Sequence, residues 1–255
     1  MESFTKDESV ALKKLFKKLK IDCDKVSEDI FPKNLSLIKT KGKHYGKGIF
    51  YTRNESIVIP FEALNNIDSP GFKSTMLHEL FHIYSRLHPE KQKELYALIG
   101  FKKVSNIDEL AMVSSLKDKM LLNPDGVNYA VKIQLENESE FVDAFPIIFS
   151  KLPSYNPTIS NFFQYLSFDL FEVKSNSGRY EVVSDGKGNS TLDPVFMNSF
   201  FKQINDNTQY TIHPDEIMAD NFMLMMGLKD SKEKKITFSK SGEILIKEVE
   251  RVIAK

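Results

Sequence analysis

The chain of 255 residues has a single cysteine, Cys23, so no internal disulfide can hold it together. It has no charge imbalance either. Its 35 basic and 35 acidic residues leave no global field to draw it to nucleic acid or to a membrane surface. No stretch approaches the roughly 20 apolar residues of a membrane span, and Met1-Glu2-Ser3-Phe4-Thr5-Lys6-Asp7 lacks the apolar core of a signal peptide. As it stands the sequence is expected to be cytoplasmic, and an exported mature form numbered from an added Met stays open. Histidine is scarce, with only His44, His78, His82, His88 and His213. The remaining composition, 41% hydrophobic and 27% charged, is ordinary. The length allows one large domain, or two lobes around a cleft, with a sizeable core.

Against that background one stretch is unusual, Thr75-Met76-Leu77-His78-Glu79-Leu80-Phe81-His82-Ile83-Tyr84. It contains His-Glu-x-x-His in an apolar segment that reads as a buried helix. At 3.6 residues per turn, positions four apart stand above one another, so His78 and His82 can offer their imidazoles to one metal ion. Glu79 lies on the flank of the same face and can reach a water held there. This is the zinc-hydrolase arrangement: two ligands and a general base on one helical turn. Burying two imidazoles and a carboxylate among Met76, Leu77, Leu80, Phe81 and Ile83 costs several kcal/mol unless something binds them. The blander alternative is a helix whose two histidines cap or pair with neighbours.

Along the chain, residues 7–20 carry Val10, Leu12, Leu15, Phe16 and Leu19 at helical spacing, and a short helix is expected from Asp24 to Ile30. Gly48–Thr52 and Ser56–Pro60 read as a hairpin turning at Arg53-Asn54-Glu55. Ser69-Pro70 supplies an N-cap and a first-turn proline for the motif helix, which His88-Pro89 halts near Leu87. Helices are expected from Pro89 to about Ile99 and from Asn106 to Leu122, the latter closed by the turn Asn123-Pro124-Asp125-Gly126. Residues 128–185 change to β-branched and aromatic runs, which predict a small inserted antiparallel sheet. Helices return at Leu192–Ile204, His213–Leu228 and Ser241–Ala254. The expectation is an α+β protein in three parts: a helix and hairpin lobe over 1–127, the inserted sheet over 128–190, and a helical lobe over 191–255.

Two histidines do not hold catalytic zinc, so a third protein ligand is needed. The best candidate is Glu216, in Thr211-Ile212-His213-Pro214-Asp215-Glu216-Ile217-Met218-Ala219-Asp220. Pro214 can start a helix, on which Glu216 and Asp220 fall four apart on one face. A metal-bound histidine commonly gives its other N–H to a carboxylate, and Asp220 is spaced to receive it. The rival is Glu109, at a more usual distance from His82 but without an aspartate four positions on, since Val113 stands there.

Here the chain resembles the gluzincin metallopeptidases, the thermolysin-like clan, which pair His-Glu-x-x-His with a downstream Glu-x-x-x-Asp on a second helix. The likeness covers His78, Glu79, His82, Glu216 and Asp220, and the hairpin before the motif helix. It implies a zincin-like fold with Zn2+ on His78, His82 and Glu216, Glu79 as the base, and Asp220 as a partner of His78. It also implies a strand edge to which an extended peptide or protein substrate can add. One departure is the separation of His82 from Glu216, far longer than in thermolysin-like members. A metzincin would need Gly and a third His soon after His82, where Ser85, Arg86 and Leu87 stand. A deformylase-like site would need a nearby cysteine, whereas Cys23 lies between two aspartates that disfavour its thiolate.

The expected reaction is peptide hydrolysis by a zinc-dependent endopeptidase whose cleft lies between the N-terminal helix and hairpin lobe and the C-terminal helical lobe, with His213 and Tyr210 as candidate donors to the developing oxyanion; His213 could equally cap the following helix. A non-catalytic protein that keeps a zinc site for structure or for partner binding is the alternative, and Glu79 argues against it because a structural site needs no base. The aromatic group Phe162, Phe163 and Tyr165 reads as core, His44 as solvated in a basic loop, and His88 as a helix end.

Overall fold

The computed structural model describes residues 2–42, 44–126, 129–156, 158–159, 161–176, 178–229 and 238–254. Helix α1, Lys6–Asp24, starts at a capping box in which Thr5 accepts from the Glu8 amide and the Glu8 carboxylate accepts from the Thr5 amide. It buries Leu12, Phe16, Leu19 and Cys23, the spacing of one helical stripe. The separate helix expected over 24–30 shrinks to a 3-10 turn at Glu28–Ile30, because α1 itself runs on to Asp24.

Three strands follow: β1, Ser36–Thr40; β2, Tyr51–Arg53; and β3, Ser56–Pro60. The expected hairpin is β2 and β3, antiparallel through a turn at Asn54, whose φ of 50° suits an asparagine. β1 was not expected, and it corrects the picture of a free edge. It pairs parallel to β3, so the strand leading to the motif helix is central in the order β1-β3-β2. The outer strand β2 is short, and its Thr52 N–H is already taken by Asp125 at 2.8 Å.

Helix α2, Pro70–Leu87, is capped by Ser69 and carries the histidine motif; α3, Pro89–Ala97, follows directly. The helix expected over 106–122 is absent from that stretch. Strand β4, Phe101–Asn106, a 3-10 turn at Ile107–Glu109 and the short α4, Ser114–Lys117, stand there instead. The apolar residues that suggested helical spacing, Ile107, Leu110, Leu116 and Met120, pack as an irregular strap on one face of a sheet. That sheet comprises β4 with β5 (Tyr129–Asn137), β6 (Glu140–Ser150), β7 (Leu166–Asn176) and β8 (Arg179–Val182), antiparallel in sequence order. Between β6 and β7 lies the short α5, Phe162–Tyr165.

Both faces of the sheet are covered, as alternating residues require. Val131, Ile133, Leu135, Ala144 and Leu170 join the main core with Phe200 and Ile204 of α6, Met197–Ile204. Ala130, Phe145, Ile147, Phe171 and Val173 face the strap. Helices α7, Pro214–Lys229, and α8, Lys240–Ile253, complete the main core. The architecture is mixed α+β. Helix α7 packs along α2, and both are buried on most sides, which leaves their few polar residues facing one another. Among the described residues, no helix is long and apolar enough to cross a membrane.

Candidate metal centre

The pairing of α2 with α7 brings together side chains 138 residues apart in sequence. His78 Nε2 lies 3.1 Å and His82 Nε2 3.4 Å from the same oxygen, Glu216 Oε2. One ligand atom each from His78, His82 and Glu216 fall within 4.8 Å of one another. Glu216 is 1% exposed, and its other oxygen accepts from Asn123 Nδ2 at 2.6 Å. The rival Glu109 is exposed and caps its own turn through Asn106, so it takes no part.

Each imidazole is held from behind. His78 Nδ1 meets Asp220 Oδ1 at 2.9 Å, the partner that helical spacing predicts, and Asp220 in turn accepts from the Thr208 hydroxyl. His82 Nδ1 meets Asp215 Oδ2 at 2.7 Å. Asp215 was missed in the sequence, although the same rule that found Asp220 demands a partner for the second histidine. Its other oxygen accepts from Ser85 Oγ at 2.5 Å and from the Tyr96 hydroxyl at 2.7 Å, and Gln92 donates to Ser85. These Nδ1 bonds turn both Nε2 atoms toward Glu216.

Asn123 and Asp125 were also missed, because Asn123-Pro124-Asp125-Gly126 reads as turn punctuation and no spacing ties it to α2. Tertiary bonds place it. Asp125 Oδ1 accepts from the Thr52 amide at 2.8 Å and hydroxyl at 2.9 Å, and Arg86 donates to the Asp125 carbonyl at 2.7 Å. Arg53 donates to the Pro124 carbonyl, and Gly126, at φ 76°, lets the chain turn close to Arg53. Asp125 Oδ2 then stands 3.9 Å from His82 Nε2.

The electrostatics follow from burial and crowding. Burial pushes the Glu79 carboxyl up to about 8, and the Asp125 charge adds to it. Burial pulls the His78 ring down, but Asp220 and Glu216 outweigh it and raise it to about 10. His82 is held well above its usual range despite burial, by Asp125, Glu216 and Asp215. Glu216 stays well below the carboxylate range, because both histidines outweigh its burial.

The two expected oxyanion donors separate. His213 Nδ1 accepts from the Asp215 amide at 3.1 Å, a capping role at the start of α7, and burial lowers the ring to about 4. Tyr210 lies against the site, its ring stacked on His78 at 6.1 Å; burial raises its hydroxyl, with Glu216, Asp125 and Glu79 adding to the effect. The aromatic group expected as core is corrected: Phe162 and Tyr165 are half-buried and Phe163 lies at the surface. Phe163 is 45% exposed and meets Tyr210 edge-on at 6.1 Å. His44 is exposed, His88 ends α2, and burial together with Asp22 and Asp24 raises the Cys23 thiol to about 12.

The donor set suits a metal. His82 Nε2 and Glu79 Oε2 are buried without a hydrogen-bond partner among the described residues, and two imidazole nitrogens with one carboxylate oxygen match a zinc site that keeps an open position. The set is also acceptable to other first-row divalent ions. No protein-family model, curated protein or solved structure matches this chain, so the site is judged on its own chemistry.

Proposed function

We propose that the chain is a zinc-dependent metallopeptidase of gluzincin type on a zincin-like α+β fold. The observation that carries this reading is the convergence of His78 Nε2, His82 Nε2 and Glu216 Oε2, with the unpartnered Oε2 of Glu79 one residue from His78. His78, His82 and Glu216 would hold the metal, while Asp220 and Asp215 fix the ring orientations and raise the basicity of the imidazoles. The chemistry a zinc ion held there would supply is a bound water of lowered pKa and polarisation of a carbonyl oxygen.

The chain's own residues do the rest. Glu79 takes a proton from the attacking water at its carboxylate and returns it to the departing amine. Tyr210, kept protonated and stacked beside His78, is the better placed of the two candidate donors to the carbonyl oxygen. His213 is committed to the start of α7.

The test is elemental analysis of the purified chain together with chelator-sensitive cleavage of a peptide library. One zinc per chain is expected. Glu79→Gln should keep the zinc and lose turnover by about 10²–10⁴. In the same assay Tyr210→Phe should keep the zinc and lose about 10²–10³ in kcat. Full activity in Glu79→Gln would remove the base assignment. Zinc without cleavage of any peptide would favour a non-catalytic zinc protein.

A further inference from the structure

The chain carries no net charge, but its charge is unevenly placed. Five lysines, Lys13, Lys14, Lys17, Lys18 and Lys20, fall within eight positions of α1, and no acidic residue stands between Glu8 and Asp22. The acids at the ends of the helix are engaged. Glu8 pairs with Lys39 at 2.8 Å, Asp22 with Lys25 at 3.0 Å and Asp24 with Lys20 at 2.8 Å, while Asp7 lies in the first turn. Among the described residues, Lys13, Lys14 and Lys17 have no acidic partner. On the Lys14 side the basic surface continues over a groove of about 520 Å³ toward the start of α2. Lys73 joins Lys14 and Lys18 in its lining, and Asp68 is the one acid there among the described residues.

The apolar residues of α1 lie on opposite sides of it. Leu12, Phe16, Leu19 and Cys23 are buried, whereas Val10 and Ile21 are 68% and 51% exposed. At 3.6 residues per turn, Val10, Lys17 and Ile21 fall within about 40° of one another, along the middle of the exposed face. Lys13 and Lys20 flank that line on one side, Lys14 and Lys18 on the other, and all four are exposed. Val10 and Ile21 stand about 16 Å apart along the axis. A midline of aliphatic side chains with lysines to either side suits a helix lying in the plane of a bilayer surface. The aliphatic groups sink between the headgroups, and the lysine stems let their ammonium groups reach back to the phosphates.

We propose that α1 seats the protein on an anionic lipid surface, with Val10 and Ile21 entering the headgroup region and the lysines meeting lipid phosphates and carboxylates. The seat uses no residue of the metal cluster. Charge complementarity alone would admit a nucleic acid as well, and the exposed residues of α1 favour the lipid. They include no arginine to fork onto a phosphate and no aromatic ring to stack on a base. Two aliphatic side chains at the centre of the face would also stand between a nucleic-acid backbone and the lysines. An anionic leaflet attracts clusters of roughly four to eight basic residues on such a helix, each worth about fivefold in partitioning.

The test sediments the full chain with vesicles of phosphatidylcholine alone, and of equal parts phosphatidylcholine and phosphatidylserine, at about 0.1 M salt, where the Debye length is about 10 Å. Only the anionic vesicles should carry the protein down, and less of it as salt rises toward about 1 M. The triple variant Lys13→Gln, Lys14→Gln, Lys17→Gln keeps good helix formers and should lower partitioning by about 10²-fold, and each single change by about fivefold. The double variant Val10→Gln, Ile21→Gln keeps every charge and should lower it about tenfold. All five positions are exposed, so the far-UV circular dichroism of both variants should match the parent. Equal sedimentation with neutral vesicles, or undiminished binding in the lysine variants, overturns the proposal. So does undiminished binding in the double variant, or a tighter hold on duplex DNA at equal phosphate; either result makes the face a general polyanion surface.

Discussion

The two histidines of one helical turn have unlike surroundings. His82 sits on the closed flank, its ring fully buried, its Nδ1 held by an aspartate that α3 and α2 hold in turn through Tyr96 and Ser85. His78 sits on the open flank, its partner Asp220 bonded to Thr208 in a loop, beside Tyr210 and the exposed Phe163. One flank is built from helices and a chain of hydrogen bonds through Asp215, Ser85, Tyr96 and Gln92, the other from loop residues and aromatic rings. Orientation is set where water is excluded and the groups behind the ring are hydrogen-bonded to one another.

The hardest test of that contrast is the residue the flanks share. Glu216→Gln removes the carboxylate that meets both Nε2 atoms, and zinc affinity should fall by more than the 10–100-fold that follows loss of an outer partner. Zinc retained in full by that variant would mean that the two flanks serve no common ion.

Acid should act on both flanks together. With no metal bound, His78 is raised to about 10 and His82 is also raised, so near neutrality each ring carries a proton that an ion must displace. Apparent zinc affinity should therefore rise with pH, by up to about 10²-fold per unit while two protons are released, and fall as pH drops. Calorimetry in buffers of different ionisation enthalpy counts the protons. A count of zero would contradict the charge state derived for the pair.

The finest comparison sets Asp215 against Asp220. Asp215→Asn and Asp220→Asn should each weaken zinc binding by about 10–100-fold. Their effects on folding should differ. Asp215→Ala leaves the buried Tyr96 and Ser85 hydroxyls without that acceptor and should cost about 1–3 kcal/mol, read as a lowered midpoint in urea. Asp220→Ala, with its partner in a part-buried loop, should cost less. Equal losses would erase the distinction between the flanks.

Helices α2 and α7 were legible because their signals are local: Ser69-Pro70 at the start of one, Pro214 at the start of the other, and two residues spaced by four on one face of each, His78 with His82 and Glu216 with Asp220. The sheet was legible in β5 from alternation and in β6 to β8 from β-branched and aromatic runs, and β1 was not, since Ser36–Thr40 is too short to alternate convincingly. The segment 106–122 was misread because apolar residues spaced three and four apart serve a strap across a sheet as readily as a helix. Phe163 was misread because composition alone does not say whether a ring packs inward or lines an approach.

The sequence by itself determined which atoms could meet on α2 and which carboxylate on α7 could answer them, because a helix converts spacing into facing without outside help. Only the tertiary structure decided that the two helices lie side by side, that Asp215 backs His82, and that a turn carrying Asn123 and Asp125 closes one flank. Those contacts join segments 73 to 138 residues apart. Nothing local encodes them. They arise when the main core forms and leaves the polar residues of buried helices only one another to bond.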